Sequence, residues 1–396
     1  MSWPIVKIED IFDVARGGSP RPIDAFITDD PDGVNWIMIG DTKSGEKYIS
    51  TTAKRIRPEG VKKSRVVKEG DFLLTNSMSF GRPYILKTSG CIHDGWLVLS
   101  PKSDNIYTDY FYYYLGSQEI KNKFAGKAAG AVVKNLNKDI VKGLEIPLPP
   151  LEEQKRIAAI LDKADAIRQK RKQAIELADE FLRSVFLDMF GDPVSNPKGW
   201  DTSTLDELAI GKFQNGAYFP KDQYSTEGVE MVHMSDAFYD YVPRGSMKRV
   251  IVGDADLKKY EVNAKDLLIS RRSLNYEGAA KPSLIEASDA PLLFESSLIR
   301  ITPNPQLVNK LYLFSYLSNE IVKEHKIRKY VTGATIKGIS QKNLEKVEVL
   351  VPPVELQEKF AQIFIKIEKI KTQLHQPLLN RDVFESLSQK AFSGQL

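Results

Sequence analysis

Acidic residues and a lysine within the first fifty residues could do phosphodiester chemistry. Asp32, which follows Pro31, and Glu46 could hold Mg²⁺, and Lys47 could stabilise the charge that develops on a phosphate. Such a motif separates an acid from the lysine by one residue, whereas Glu46 abuts Lys47. The Asp-Asp-Pro-Asp-Gly run at 29–33 is also typical of a solvated loop. A single-chain Mg²⁺-dependent nuclease is therefore the less favoured alternative.

Other catalytic and metal-binding patterns are missing from the sequence. It contains no GxxxxGK[ST] phosphate loop and no Asn/Asp-Pro-Pro-aromatic tetrapeptide, which an amino-methyltransferase would need. Its histidines lack the spacing of metal ligands, and His93 beside Asp94 is typical of a turn pair. The lone cysteine, Cys91, excludes an internal disulfide and a cysteine-rich zinc cluster. We therefore expect a chain without catalytic residues, metal or cofactor of its own.

Several basic and polar stretches are predicted to lie in loops, and they favour a nucleic-acid partner. Residues 53–65 carry six Lys and Arg against one Glu, which suits phosphate contacts. Arg271 and Arg272 follow a predicted strand end, from which a guanidinium could reach guanine O6 and N7 in a major groove. The candidate DNA contacts are Gly18, Ser19, Arg21, Lys54, Arg55, Arg57, Asn76, Ser77, Lys127, Lys134, Arg271, Arg272, Ser273, Tyr276, Lys329, Thr332, Thr335 and Lys337.

The bulk composition is that of an ordinary soluble protein, with 42% hydrophobic and 27% charged residues among 396. This length allows two or three domains. The net charge is +4, and no long segment is strongly basic, so local clusters would have to bind DNA. No apolar run is long enough for a membrane span, and residues 1–10 lack a signal core. A cytoplasmic location without a membrane partner is the default expectation.

The elements that must position these residues occur twice in the chain. Shifting the sequence by 203 residues places Pro149-Pro150 on Pro352-Pro353 and Gln154 on Gln357. The small-residue, lysine-containing loops just upstream stay in the same register. Each half is therefore predicted to be a globular module, a Pro-Pro boundary and a helix.

Each Pro-Pro pair precedes a long predicted helix whose apolar residues follow the heptad pattern of a helix pair. The predicted seam, which is also the candidate subunit-docking surface, is Ile157, Ile160, Ala164, Ile167, Ala174, Ala178 and Phe181, then Phe360, Ile363, Ile367, Ile370 and Leu374. The first helix should stop at Gly191 and span about 60 Å. Pro377 should kink or break the second helix. We expect an antiparallel pair that holds two modules apart, two unrelated surface helices being the alternative.

The segments outside the helices are predicted as mixed α/β modules. Short β-rich runs such as residues 71–75 alternate with turn signals, and an aromatic run at 107–115 predicts a helix that recurs at 310–317. The fold class is thus α+β, with a module at 1–147, a helix at 148–191, a module at 197–350 and a helix at 351–396. The strands differ between modules far more than the boundaries do. The same structural frame, used twice in the chain, is therefore expected to recognise two different targets.

The ordered, duplicated set of motifs resembles the specificity subunit of type I restriction–modification systems over essentially the whole chain. The motifs are Ile-Pro-Leu-Pro-Pro-Leu-Glu-Glu-Gln-Lys-Arg-Ile at 146–157 and Val-Pro-Pro-Val-Glu-Leu-Gln at 351–357. Each follows a Gly-Ala-x-x-Lys loop, at 130–134 and 333–337, and precedes a long helix. The ending Leu-Ser-Gln-Lys-Ala-Phe-Ser-Gly-Gln-Leu at 387–396 is also similar to the ending of that family.

The resemblance implies that the modules are target recognition domains, which read the two halves of a bipartite, asymmetric double-stranded DNA sequence around an unread spacer. The paired helices would act as a ruler and would dock two methyltransferase subunits and, through them, the restriction subunits. S-adenosylmethionine, ATP and Mg²⁺ would be bound by those partners. The alternative of a different class is a coiled-coil protein scaffold without DNA readout.

Overall fold

The structure is a computed structural model that describes residues 3–43, 45–76, 81–128, 136–375 and 381–396. The strands of the first module are β1 (Ile5–Lys7), β2 (Phe12–Arg16), β3 (Ile27–Thr28), β4 (Val34–Ile37), β5 (Tyr48–Ile49), β6 (Lys54–Ile56), β7 (Arg65–Val67), β8 (Phe72–Thr75), β9 (Pro83–Leu86), β10 (Gly90–Ile92), β11 (Trp96–Pro101) and β12 (Glu145–Pro147). The helices up to the middle of the chain are α1 (Ile8–Ile11), α2 (Pro58–Val61), α3 (Thr108–Leu115), α4 (Gln118–Ala128), α5 (Lys138–Lys142) and α6 (Leu151–Phe190).

The second module repeats this plan with its own strands and helices. The strands are β13 (Asp201–Thr204), β14 (Gln214–Asn215), β15 (Tyr224–Ser225), β16 (Val229–Val232), β17 (Arg249–Val250), β18 (Leu267–Ser270), β19 (Arg272–Ser273), β20 (Pro282–Leu284), β21 (Leu292–Phe294), β22 (Leu298–Ile301), β23 (Lys337–Gly338) and β24 (Glu348–Val351). The helices are α7 (Asp254–Tyr260), α8 (Lys310–Ser318), α9 (Glu320–Val322), α10 (Gln341–Glu345), α11 (Val354–His375) and α12 (Arg381–Phe392).

The chain divides into two compact units. Unit 1 comprises Met1–Lys172 and His375–Leu396, and unit 2 comprises Gln173–Leu374. Each unit therefore combines one predicted module with part of α6 and one of the last two helices, α12 in unit 1 and α11 in unit 2.

In unit 1 the sheet β2-β11-β8-β9-β5 is buried on both faces. Phe72 and Leu74 of β8 pack on one face with Tyr110 of α3, whereas Leu73 packs on the other face with Ile37 of the sheet β3-β6-β4-β10-β7. Side chains alternate between the faces of a strand, so a strand covered on both sides is apolar at every position. This explains the uninterrupted apolar run at the centre of the module.

Unit 2 has the same three layers. Leu267 and Ile269 of β18 pack towards the helices with Tyr312 of α8, and Leu268 packs with Phe294 of the sheet β15-β17-β16-β21. The central sheet has the order β14-β22-β18-β20. The prediction of two mixed α/β modules joined to long helices is confirmed.

The helix α6 begins and ends where local signals predict. Pro149-Pro150 precedes its first turn, which carries Glu152 and Glu153, and both features favour a helix start. At the other end the N–H of Gly191 bonds the carbonyl of Leu187 at 2.8 Å. Gly191 has a φ of +78°, a left-handed conformation that glycine adopts without strain.

A buried glutamine joins each long helix to its module. Gln154 accepts a bond from the N–H of Tyr107 at 2.9 Å and donates to the carbonyl of Pro149 at 2.9 Å. Gln357 accepts from the N–H of Asn309 at 2.7 Å and donates to the carbonyl of Pro352 at 2.7 Å. The two glutamines are 1% and 0% exposed. The repeated Pro-Pro-x-x-x-Gln motif is therefore a structural clamp between the helix and the segment that precedes α3 or α8.

The helix pairs are antiparallel in both units. In unit 2 the ring of Phe360 lies 5.6 Å from that of Phe186. Further along α11, Lys371 pairs with Asp179 at 2.7 Å, and Asp179 lies about two turns before Phe186 on α6.

In unit 1 the guanidinium of Arg168 lies 5.5 Å from the ring of Phe384, and Arg156 donates to the carbonyl of Leu396 at 3.1 Å. The predicted antiparallel pairing is thus present in unit 1 as well, with α12 as the partner.

The predicted heptad seam needs correction. Ile157 and Phe360 are buried, but Ile167, Phe181 and Ile370 are 42%, 51% and 47% exposed. The other predicted seam residues are only partly buried: Ile160, Ala164, Ala174, Ala178, Ile363, Ile367 and Leu374. Each half of α6 packs against its module as well as against a second helix, so its buried stripe follows the 3.6-residue period of a globular helix and not a two-helix seam.

Pro377 lies outside the described residues, between the last two helices. The helix α11 ends at His375 and α12 begins at Arg381. Within the described ranges, none of the helices is both long and apolar enough to cross a membrane.

Candidate nucleic-acid interface

In unit 1 the candidate contact Asn76 stands at the turn that follows β8. Its N–H donates to the carbonyl of Gly95 at 2.9 Å, and its carbonyl accepts from the N–H of Leu136 at 2.8 Å. Its side-chain amide donates to the carbonyl of Asp94 at 2.6 Å. These bonds fix the turn at one end of the central sheet.

In unit 2 the candidate contact Arg271 occupies the equivalent position after β18. Its N–H donates to the carbonyl of Ser297 at 2.8 Å, and its carbonyl accepts from the N–H of Ile339 at 3.0 Å. Its Nη1 lies 3.4 Å from the carbonyl of Ser296, to which it donates. This is the backbone pattern of Asn76 with a different side chain. The internal repeat therefore extends to the hydrogen bonds of the site.

Asp94 anchors the glycine-containing loop of unit 1. Ser19 Oγ donates to Asp94 Oδ1 at 2.9 Å, and this bond is the main cause that lowers the pKa of the Asp94 carboxyl. Arg16 Nε donates to the Asp94 carbonyl at 3.1 Å, and Gly18 bonds through its N–H to β10. The Arg21 guanidinium lies 3.9 Å from the carboxylate with 84% of its side chain exposed. Two candidates, Ser19 and Arg21, therefore lie at one carboxylate, and the third, Gly18, is held beside them by β10.

The sequence predicted a loop for the basic residues Lys54, Arg55 and Arg57. The structure instead places Lys54 and Arg55 on β6 and Arg57 just after it. Ile56 is fully buried, so the strand pairs with β3 and β4 despite the cations on either side. Arg55 donates to the carbonyl of Pro31 at 3.1 Å. In the sheet, β6 is three strands, or about 14 Å, from β7, and β7 is the strand that adjoins the Gly18 loop.

In unit 2 a groove of about 360 Å³ brings several candidates together. It follows the ladder in which Arg272 pairs with Gly338 and Ser273 with Lys337. Its lining is Arg271, Arg272, Thr332, Gly333, Ile336, Lys337, Gly338, Ile339 and Ser340. The turn in this lining requires glycine, because Gly333 has a φ of +109° and a Cβ there would lie 1.9 Å from the Ile336 carbonyl.

Tyr276 holds two cations beside this groove. Its ring centroid lies 4.9 Å from the Arg328 guanidinium and 4.7 Å from the Lys337 ammonium, both within the range of cation–π attraction. Lys337 Nζ also donates to the carbonyls of Gly333 and Ala334 at 2.9 and 2.8 Å. Arg328 also pairs with the Glu324 carboxylate at 2.5 Å, and the other cations beside the groove suit a phosphate.

The residues of the nuclease hypothesis have other roles. Lys47 is 11% exposed and contacts the carboxylates of Asp109 and Asp162, the second at 2.7 Å. The N–H of Asp32 donates to Asp30 Oδ1 at 2.9 Å within an exposed loop. Across the part of the chain that the structure describes, no group of three or more His, Cys, Asp and Glu side chains could hold a metal ion. Lys47 therefore belongs to a structural ion cluster.

Comparison with known protein families places this site in context. The family described as the type I restriction modification DNA specificity domain matches residues 2–177 and again residues 197–381. The chain belongs to this family. The double match coincides with the internal repeat, and the specificity subunit is the non-catalytic component of a type I restriction–modification system, as the sequence predicted.

Relatives are similar to this specificity subunit along its whole length. The specificity subunit of the type I restriction enzyme MjaIX from Methanocaldococcus jannaschii is 24% identical over 424 residues, which cover 100% of this chain and 93% of the relative. That of EcoKI from Escherichia coli is 22% identical over 418 residues, with coverages of 100% and 89%. The solved type I specificity subunit from M. genitalium has a TM-score of 0.55 at 18% identity, with coverages of 98% and 96%. The structural likeness supports the fold.

Some candidate contacts of the specificity subunit cannot be placed. Ser77 and Lys134 lie outside the described residues, as does the side chain of Lys127. Their positions in the interface stay predictions.

Other candidates are placed away from the groove or inside the loop. Lys329 and Thr335 are exposed, and the Lys329 ammonium lies 5.0 Å from the ring of Tyr330. Ser273 is 7% exposed, and its hydroxyl lies 3.1 Å from Asn275 Oδ1, to which it donates. Ser273 therefore shapes the loop, a correction to its predicted role as a DNA contact.

Three residues beside the candidate contacts were missed in the sequence. Asp94 was interpreted only as the partner of a turn histidine, whereas it anchors the Ser19 loop. Leu274 and Ile336 are large aliphatic residues within polar, basic loops. That contrast in side-chain type was the available signal.

Proposed function

We propose that each unit of this specificity subunit reads one half of a bipartite, asymmetric sequence in double-stranded DNA. The observation that carries this proposal is that Asn76 and Arg271 occupy equivalent turns with different side chains. Arginine suits O6 and N7 of guanine, whereas Asn76 is 5% exposed and its amide bonds the Asp94 carbonyl, so that it fixes the equivalent turn of unit 1. One backbone frame with two side-chain chemistries meets the needs of an asymmetric target.

The cations beside the groove of unit 2 have a separate role in this proposal. Lys337 and Arg328 both lie against the ring of Tyr276 and would contact phosphates, which position a protein on DNA without reading its sequence. Arg271 would then be the base-reading residue of unit 2.

The test is methylation-sensitive sequencing of a host that carries this chain with its methyltransferase and restriction partners. Arg271→Ala should relax or abolish one half-site only, by about 1–3 kcal/mol for the lost bidentate contact, and Asn76→Ala should affect only the other. Each half-site is the internal control for the other. Equal loss on all sequences would identify Arg271 as a phosphate contact and contradict its role.

Salt dependence separates DNA readout from the scaffold alternative. Each phosphate contact adds about 0.9 to the slope of log affinity against log salt. Lys337→Ala should therefore weaken binding uniformly and make the slope shallower by about 1. A wild-type assembly with no salt slope in a duplex titration would favour the scaffold.

The helices are proposed to dock two methyltransferase subunits and, through them, the restriction subunits. The support is that α6 exposes Ile167, Leu177 and Phe181 at 42%, 63% and 51%, an amount of apolar surface that suits a protein partner. Leu177→Asp should reduce co-purification with the methyltransferase. Gln173→Asp, which adds the same charge one turn away, is the matched control, and an equal effect of both would contradict the proposal.

S-adenosylmethionine, ATP and Mg²⁺ are proposed to bind the partner subunits. Calorimetric titration of the purified chain with S-adenosylmethionine should show no saturable binding, whereas the assembly with its methyltransferase should bind it. Saturable binding by the isolated chain would contradict this division of roles.

A further inference from the structure

Two aliphatic side chains stand exposed at the edge of the groove in unit 2. Leu274 is 78% exposed and Ile336 is 53% exposed. They are the next residues beyond the last pair of the β19–β23 ladder, in which Ser273 is opposite Lys337. The ladder therefore ends in an aliphatic pair.

The loop that presents Leu274 is braced from within. The N–H of Gly278 donates to Asn275 Oδ1 at 3.0 Å, and the N–H of Asn275 donates to Ser273 Oγ at 3.3 Å. A Cβ at Gly278 would lie 2.2 Å from Ser273 Oγ, so the loop closes tightly at this point. Leu274 is thus held in solvent by a defined turn.

The surroundings of this aliphatic pair are cationic. Arg272 and Lys337 lie on the same ladder, Arg271 precedes it, and Tyr276 carries Arg328 as well as Lys337. Such charge favours an anionic ligand, but a charged phosphate gains nothing from contact with an aliphatic side chain. In the major groove of DNA the apolar group available to a side chain is the C5 methyl of thymine.

We propose that Leu274 and Ile336 form an aliphatic contact for thymine methyl groups, so that the half-site read by unit 2 contains a T·A pair close to the base pair contacted by Arg271. This inference rests on the proposed function of unit 2 as a DNA reader. It assigns the aliphatic pair, like Arg271, to sequence readout and the cations on Tyr276, Arg328 and Lys337, to the DNA backbone.

The experiment compares methylation rates of the full assembly on duplexes in which deoxyuridine replaces thymidine, one position at a time. This replacement removes only the methyl group. For the wild type we expect a roughly fourfold lower rate at one or two positions of that half-site, the value of one buried methyl. Leu274→Ala and Ile336→Ala should each be slower on thymine and should discriminate less between thymine and uracil.

A matched control is Ile210→Ala. Ile210 is 55% exposed, and its N–H bonds Thr302 at 2.7 Å, at the end of β22 opposite to the site. It should behave as the wild type.

Three results would overturn the inference: a wild type indifferent to uracil throughout the half-site, a half-site without T·A pairs, or a Leu274→Ala variant that keeps full discrimination. Failure of the proposed function would look different, because the wild-type assembly would then methylate without regard to sequence.

Discussion

Replacing Lys47 by methionine tests whether charge fixes the first module to α6. The Lys47 ammonium contacts the carboxylates of Asp109 on α3 and Asp162 on α6, the second at 2.7 Å. It also lies 4.9 Å from the ring centroid of Tyr113, whose hydroxyl donates to Asp162 at 2.6 Å. Methionine keeps the apolar stem and removes the charge.

The expected loss follows from the burial of the two carboxylates. Asp109 is 16% exposed and Asp162 is 44% exposed. Removal of one partner from a buried pair costs about 3–5 kcal/mol, and water around Asp162 reduces its share, so unit 1 should lose about 2–4 kcal/mol. Lys43→Met is the matched control. Its side chain is 81% exposed and 3.6 Å from Glu46, so its loss should stay below about 1 kcal/mol.

The assay must report the two units separately, because one melting curve would mix their transitions. Native-state hydrogen exchange does so through the amides of Leu73 in β8 and Leu268 in β18, both buried. Lys47→Met should lower the opening free energy at Leu73 and leave Leu268 unchanged. An equal effect of Lys43→Met, or an equal loss at Leu268, would refute the reasoning.

Other perturbations test the clamp, the buried histidine and the long helix. Gln357→Leu leaves a buried N–H and a carbonyl without their bonds and should destabilise unit 2 by about 3 kcal/mol; hydrogen exchange in unit 1 is the control, and an unchanged unit 2 would contradict the clamp. Burial lowers the pKa of His93 below its ordinary value of 6.5, so unit 1 should be fully stable above pH 6.5 and lose stability as the pH falls below it. His93→Gln should make the stability of unit 1 less dependent on pH, as measured by urea titrations in which the hydrogen exchange of the Leu73 amide is followed. An equally steep dependence in the variant would contradict the role of His93. Inserting four residues after Arg168 should lengthen the unread DNA spacer without changing either half-site, and an unchanged spacer in the methylome would defeat the proposal that α6 is a ruler.

The helix α6 could be predicted with its ends, whereas its buried stripe could not. Pro149-Pro150 and Gly191 act within one turn of the helix, so they are readable from the local sequence. The choice between Ile160 and Leu161 depends on what packs against the helix. Leu161 is the fully buried one because α6 lies in one core with α3 and with α12, and a partner at the far end of the chain leaves no local signal.

At the site, too, features that depend on the local sequence were predicted, and features that depend on contacts between distant parts of the chain were missed. The position of Arg271 after a strand was readable, because an apolar run precedes it. The meeting of Tyr276 with Arg328 and Lys337 was not, since it depends on the ladder between β19 and β23. Lys54 was misassigned to a loop because burial of the neighbouring Ile56 is a tertiary property.

The two copies of the repeat have the same residue at the clamp, where glutamine side chains make the bonds. They have different residues at the turn after β8 or β18, where backbone groups make most of the bonds. Gln154 and Gln357 bond through their side chains, so another residue at either position would leave buried groups unpaired. Arg271 is held in its turn chiefly by its backbone N–H and carbonyl groups, which every residue except proline supplies in full, whereas the buried Asn76 adds a side-chain bond to the Asp94 carbonyl. A substitution at Arg271 should therefore change the base edge that it is proposed to contact with little effect on folding. This physical difference would explain how two copies of one frame diverge in the sequences that they are proposed to read while the glutamine clamp stays the same.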